Sequence, residues 1–594
     1  MATDGFATNR EVTTHTDGHG DDSNGALPHG TTGSVPAKHS LLDQALAALQ
    51  SNKEAWVATG IEQRIALLDE MRQTLSAMGD RWVEAILEAK GTTDNAFGTG
   101  EEWANFALIL RWLRLMPRAL ADIQRHGRPR TPGRLSTRDG GQVVARVFPQ
   151  TLYDRLLFMG VSGEVWMQPG ITAEEALERQ AFIYCNKRPG QVALVLGAGN
   201  TAFLPVMDML HKLFVEDQVV LLKLSPINAY LAPILADACR PLIQRGFLRI
   251  TKGDSVEGAY LCHHPAVDTI HLTGSDKTFE TILFGPGLEG QRRKAERHPL
   301  LQKPITAELS NVTPIIIVPG PWSQRDVREQ AVHLATWLVL NAGFNCNSER
   351  VIVQQQGWPL REALLAAIGQ ELARVPTHKA YYPGAIDRHA AFVAAHAGAQ
   401  HFGQPKPDHL PWTLIPDVDS SNREDICFTT EAFCSLVAET ALAATGPADF
   451  LDRVVEFANE TLWGTLCATL IVHPRTLADR KVAAALERAI TNLRYGTITV
   501  NFWLGYAYYF GVTPWGAFPG SDLYDIQSGA GVVQNILMLA DTQKSVIRAP
   551  FRKLIDPYTI RSHRIAELGH KFAAFESQGS LGQFASILWT SIRC

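Results

Sequence analysis

Residues 191–275 restrict the possible folds more than any other stretch. Gln191-Val192-Ala193-Leu194-Val195-Leu196 is a nearly continuous apolar run, closed by Gly197-Ala198-Gly199-Asn200. A strand with such side chains on both faces must be covered on both faces. The pattern then repeats. Residues 207–214 have helical spacing, and Gln218 to Lys223 form a second buried strand that closes on Leu224-Ser225-Pro226. Residues 230–244 predict a helix, 248–252 a short strand, 256–263 a helix and 267–273 another strand, followed by Gly274-Ser275. Strands alternating with helices predict an α/β fold with a parallel sheet, whose ligands bind beyond the strand C-termini. Asn200, Lys223 and Gly274-Ser275 all fall at such ends.

At 594 residues the chain is too long for one ordinary hydrophobic core. Residues 1–40 are rich in Thr, Asp, Gly and His, have no apolar signal core, and read as a disordered leader. Residues 41–304 hold a helical opening section, short strands at 143–148 and 163–168, and the α/β unit above. A second α/β domain spans 305–505, with strands at 314–318, 433–438, 468–472 and 497–501 and helices at 327–340 and 448–459. Residues 506–534, rich in Gly, Pro and aromatics, predict a wrapping loop, and 545–594 a helical tail.

The net charge of −5 argues against nucleic acid or an anionic membrane as partner. No apolar run reaches the ~18 residues of a spanning helix. The eight cysteines are scattered without a CxxC pair. That pattern predicts unlinked thiols in a reducing, cytoplasmic setting, with no zinc site.

One cysteine stands apart. Asn341-Ala342-Gly343-Phe344-Asn345-Cys346-Asn347-Ser348 is a small, polar loop between an apolar helical run and the β-branched Val351 to Val353. Buried structural cysteines have apolar neighbours, whereas this one is flanked by asparagines. A loop beside a strand can present a thiolate to substrate, so Cys346 is a candidate nucleophile.

The ordered motifs over residues 140–540 resemble the aldehyde dehydrogenase superfamily. They are Gly199-Asn200, Lys223, Thr273-Gly274-Ser275, Glu308-Leu309, Cys346, Glu431-Ala432-Phe433, Trp463-Gly464-Thr465-Leu466, Gly496 to Asn501 and Pro514-Trp515-Gly516. The resemblance implies a Rossmann-type cofactor domain and an α/β catalytic domain meeting at a cleft, with a projecting β-hairpin for assembly as a homodimer or homotetramer. It implies Cys346 as nucleophile, Glu308 as base and the Asn200 amide as oxyanion donor. It implies Lys223, Ser225, Gly274, Ser275, Glu431 and Phe433 as the cofactor site. NAD and NADP both stay open, because Pro226 stands where NAD-preferring members often carry a carboxylate.

The implied reaction is oxidation of an aldehyde to a carboxylic acid through a cysteine thioester. An acyl-CoA reductase or acylating enzyme using coenzyme A at the same cysteine is the alternative, and a non-catalytic protein on this fold a third. Three departures mark a divergent branch. Ser310-Asn311 replace a glycine pair, Cys434-Ser435 replace Gly-Pro, and Gly199 stands in place of a tryptophan.

Overall fold

The computed structural model describes residues 35–186, 188–553 and 556–593. Most of the expected leader therefore lies outside the described residues; the first helix, Val35–Val57, begins before residue 40.

Two sheets organise the chain. The first has six strands in the spatial order Gly529–Ala530, Ile305–Glu308, Thr269–Thr273, Val192–Leu196, Val219–Leu224, Leu248–Lys252. Only the first pair is antiparallel. Val192–Leu196 and Val219–Leu224 are buried along their whole length, as their unbroken apolar sequences require. From Val192–Leu196 the chain steps outward to Val219–Leu224 and Leu248–Lys252, then returns to Thr269–Thr273 on the other side. Strand order reverses there, and the crevice at such a switch point is where open α/β sheets bind ligands. Asn200 and Gly274-Ser275 flank it.

The second sheet has eleven strands. Its centre is the parallel set Cys467–Ile471, Thr313–Ile317, Glu349–Gln355 and Leu436–Leu442. The cysteine loop leads directly into Glu349–Gln355.

Several expectations need correction. The helix over 230–244 is three pieces: a 3-10 turn Pro226–Leu231, then Ala232–Ala238 and Arg240–Gln244. Pro233 and Pro241 each restart a helix because neither can donate an interior hydrogen bond. The strand expected at 433–438 begins later, as Leu436–Leu442, because Phe433 takes a left-handed φ of 41°. The loop at 506–534 is entered through a helix, Gly505–Phe510. The tail is preceded by a strand, Thr542–Arg548, which runs parallel to Thr497–Val500. Lys544 disguises that strand in the sequence: its buried amine donates to the carbonyls of Ile490, Thr491 and Leu493. The strands Val143–Phe148 and Ser162–Met167 pair antiparallel with each other. They continue the second sheet of their own chain, joined to it through Thr542–Arg548.

The helical opening section covers the first sheet. Trp56 meets Phe214 edge-on at 5.3 Å, seating the first helix on Leu204–Phe214. The long helix Ala96–His126 receives the C-terminal helix Ile565–Gln578 through a buried ionic cluster. Arg111 bonds Asp154 at 3.0 Å and Glu576 at 3.2 Å, and Arg114 takes the second Glu576 oxygen. Removing one partner from such a cluster strands the others in a dry interior. Arg111→Ala is expected to cost about 3–5 kcal/mol of stability, read by urea denaturation. A loss under about 1 kcal/mol would show that the cluster is solvated.

Candidate active site

Cys346 is half-buried and stands where two cavities meet. Asn200, Leu204 and Cys346 line both. The cavity on the side of the first sheet has a volume of about 410 Å³ and is also lined by Gly274, Ser275, Glu308, Glu431 and Phe433. The other, of about 500 Å³, extends away beneath the C-terminal helices. Of the nine residues singled out in the sequence, seven converge on the first cavity. Lys223 and Ser225 do not line it.

The loop that carries the thiol is conformationally costly. Asn341, Ala342 and Gly343 have successive φ values of 51°, 53° and 77°. Asparagine and glycine tolerate that region, whereas alanine resists it by about 1–2 kcal/mol. Gly343 is also required by space, because a Cβ there would lie 2.3 Å from the Cys434 carbonyl oxygen. Strain of this kind persists only when the surroundings over-determine it.

Here the surroundings are a buried polar network. Lys90 Nζ donates to Glu102 at 2.5 Å and to Asn341 Oδ1 at 2.7 Å. Asn341 Nδ2 donates to the Asn200 carbonyl at 2.9 Å and to Asn345 Oδ1 at 3.0 Å. The Tyr381 hydroxyl lies 2.7 Å from both the Asn200 carbonyl and Asn341 Oδ1. Arg350 closes the other side of the loop, donating to the carbonyls of Gly343 and Cys434. Asn200 Nδ2 donates to the Phe344 carbonyl at 2.8 Å, which holds its amide beside Cys346. Sequence patterning does not reveal the parts of Lys90, Tyr381 and Arg350. Lys90 and Tyr381 are remote from the motif, and a charge beside a β-branched run reads as surface.

The electrostatics fit a nucleophile and its base. Burial lifts the Glu308 carboxyl to about 6, and the neighbouring Asp208 charge adds to the lift. Burial, together with the nearby Glu308 carboxylate, pushes the Cys346 thiol well above the ordinary range. At neutral pH the resting pair is a carboxylate and a neutral thiol, a base and a proton donor lining one cavity. Burial also raises Glu431, to about 8, and one of its carboxyl oxygens is buried without a partner. An orphaned oxygen at a cavity wall invites a ligand hydroxyl.

The three departures are accommodated by their neighbours. At Gly199 a Cβ would lie 2.8 Å from Ser225 Oγ and 2.9 Å from Ile227 Cδ1, so no tryptophan fits there. Ser310 Oγ donates to Asp276 at 2.7 Å, holding a carboxylate at the start of the helix Asp276–Phe284. Asn311 donates to Thr313 Oγ1 and the Cys467 carbonyl and accepts from Leu466 N. Gly464 makes room for it, since a Cβ there would meet Asn311 Oδ1 at 2.6 Å. Ser435 Oγ donates to the Pro411 carbonyl at 2.8 Å.

Metal-donor chemistry also gathers away from the cleft, in His396, Asp425 and Cys427. Asp425 caps the helix Ile426–Thr429 and faces His396 Nε2 at 3.2 Å, so its two oxygens are already engaged.

Comparison with known proteins agrees with this geometry. The model of the aldehyde dehydrogenase family matches residues 159–392, a segment that includes Asn200, Glu308 and Cys346. Among curated proteins, 4-trimethylaminobutyraldehyde dehydrogenase B of Danio rerio is 25% identical over 340 residues, 54% of this chain and 60% of that protein. The matched stretches span between 32% and 60% of the lengths of the curated relatives. Two solved structures share the fold. An aldehyde dehydrogenase of Mycobacterium tuberculosis, complexed with NAD+, superposes with a TM-score of 0.56 at 18% identity, over 85% of this chain and 90% of that one. The glyceraldehyde-3-phosphate dehydrogenase GapN of Methanocaldococcus jannaschii, complexed with NADP, gives 0.55 at 15% identity, over 86% and 94%. The sequence match to the aldehyde dehydrogenase family runs through the cysteine loop, and the chain shares the fold of solved aldehyde dehydrogenases along most of its length.

Proposed function

We propose that this protein oxidises an aldehyde to a carboxylic acid with NAD or NADP as acceptor, through a covalent intermediate on Cys346. The observation that carries the reading is Cys346 at the junction of two cavities, with the buried Glu308 carboxyl lining one of them beside it. One cavity is available to a cofactor and the other to a substrate, and the nucleophile faces both.

The steps follow from the groups present. Glu308 accepts the thiol proton as sulfur bonds to the carbonyl carbon. The carbonyl oxygen becomes an alkoxide, and the Asn200 amide, fixed by Phe344 and Asn341, is the side-chain donor beside it. The nicotinamide cofactor, when bound, supplies a hydride acceptor. Loss of hydride from the tetrahedral carbon leaves a thioester on Cys346. Glu308 gives up the thiol's proton to solvent and then takes a proton from the water that attacks the thioester; the carbon–sulfur bond breaks, Glu308 returns that proton to the departing thiolate, and the acid leaves. Glu308, which lines the same cavity as Cys346, favours water over coenzyme A as the second acceptor, because it supplies a carboxylate base near the acyl position.

The residues fit such a cofactor. Gly274 and Ser275 open a helix at the switch-point crevice, where a diphosphate is favoured. Glu431 offers its unpaired oxygen to a ribose hydroxyl. Lys223 and Ser225, at the end of Val219–Leu224, belong to the adenosine side, and Pro226 places no carboxylate against a 2′-phosphate. The resemblance supports a homodimer or homotetramer. The seven described cysteines are free and support a reducing, cytoplasmic setting.

Two experiments test the chemistry. Cys346→Ala is expected to abolish NAD(P)H formation with every aldehyde while nucleotide binding persists; a variant that still turns over would sink the covalent route. In the wild type, kcat/KM should rise with pH through about 6, because the carboxyl raised by burial must lose its proton to act as base. Glu308→Gln should remove that limb and slow turnover by about 10²–10⁴-fold. A profile flat between about pH 5 and 7 would exclude Glu308 as the base, and turnover that requires coenzyme A would move the reaction to the acylating class.

A further inference from the structure

The second cavity has a chemical character that the proposed reaction alone does not dictate. Its volume is about 500 Å³, and Cys346 and Asn200 stand at its inner end. Its walls come from distant parts of the chain: Leu108 on the long N-terminal helix, Leu157 beside the short strands, Tyr506 and Tyr509 near the wrapping loop, and Phe572 and Leu588 on the C-terminal helices. The outer end is apolar as well. Leu156 and Met159 line the cavity yet remain 42% and 53% exposed. Apolar side chains left in water at a cavity mouth mark a surface that something covers.

The charges at this cavity are committed elsewhere. Arg552 Nε donates to Asp326 at 2.7 Å. Lys553 pairs with Asp556 at 2.7 Å, and Asp556 also takes His333 at 3.1 Å. Glu101 lies among the Lys90 network, where burial raises its carboxyl to about 7. A substrate with an anionic tail therefore finds no unpaired cation.

A cationic tail meets protein cations at two of the cavity's rings. Aromatic rings can hold a quaternary ammonium over their faces, and this cavity has many rings. Two of them already carry protein cations: Arg111 sits 5.0 Å from the Tyr509 ring and Lys553 5.1 Å from the Phe502 ring. A second positive charge beside either would be repelled.

We propose that this cavity takes the uncharged, apolar tail of a long-chain aldehyde, with the carbonyl delivered to Cys346 and the tail running out past Phe572 and Leu588 toward Leu156 and Met159. The proposal rests on the aldehyde-oxidising reading, and its test separates the two. Straight-chain primary alcohols from butanol to decanol lack the electrophile, so their binding to the wild-type enzyme, measured by calorimetry, reports the cavity without the chemistry. Affinity should rise roughly fourfold per methylene until the cavity is filled. 4-Hydroxybutyrate and 4-(trimethylammonio)butanol should bind at least about tenfold more weakly than hexanol. Phe572→Asn should flatten the rise with chain length. Affinity independent of chain length, or tighter binding of either charged tail, would overturn the proposal. The matching aldehydes, assayed with NAD+ and NADP+, should follow the same order in kcat/KM. Alcohol binding that grows with chain length, but without turnover of any aldehyde, would refute the oxidation and leave the tail site standing.

Discussion

Lys90 brings a full positive charge into a place from which water is excluded. Burial opposes that charge, and Glu102, Tyr381 and Glu101 together more than compensate, so the amine stays protonated. The remaining hydrogen-bonding capacity goes to Asn341, whose amide is thereby engaged at both its oxygen and its nitrogen. Asn341 can then hold the left-handed backbone of the cysteine loop and the Asn200 carbonyl together. The helical opening section, which looks like scaffold, is thus the element that fixes the cysteine loop to the first sheet.

The fold and the site were legible to different degrees. The parallel sheet was legible because strands covered on both faces advertise themselves as apolar runs, as Val192–Leu196 does. Cys346 was legible because its polar neighbours contradict an ordinary core cysteine. Thr542–Arg548 was not, since its buried Lys544 is satisfied by three carbonyls that no local pattern announces. The Lys90 contact with Asn341 was equally hidden: it joins positions far apart in the chain, and neither residue type is unusual where it stands.

The departures from the superfamily pattern are local exchanges of volume. Gly199 is small because Ser225 and Ile227 occupy the space beside it, and Asn311 is large because Gly464 is not. Each substitution moves bulk across a contact while the backbone path and the polar satisfaction are preserved. Close-packed interiors tolerate such exchanges far better than a net change of volume.

The place of Thr542–Arg548 has a consequence for how the chain matures. It lies between Thr497–Val500 and Ser162–Met167, so the early strands reach the large sheet only through a segment made hundreds of residues later. Until that segment emerges from the ribosome, two sheet edges stand open, and open edges recruit other chains. Contacts this distant in sequence also form slowly. The nascent protein therefore passes through a long interval in which its nucleotide-side domain can be folded while its catalytic sheet waits unfinished, and that interval is when a chaperone would matter most.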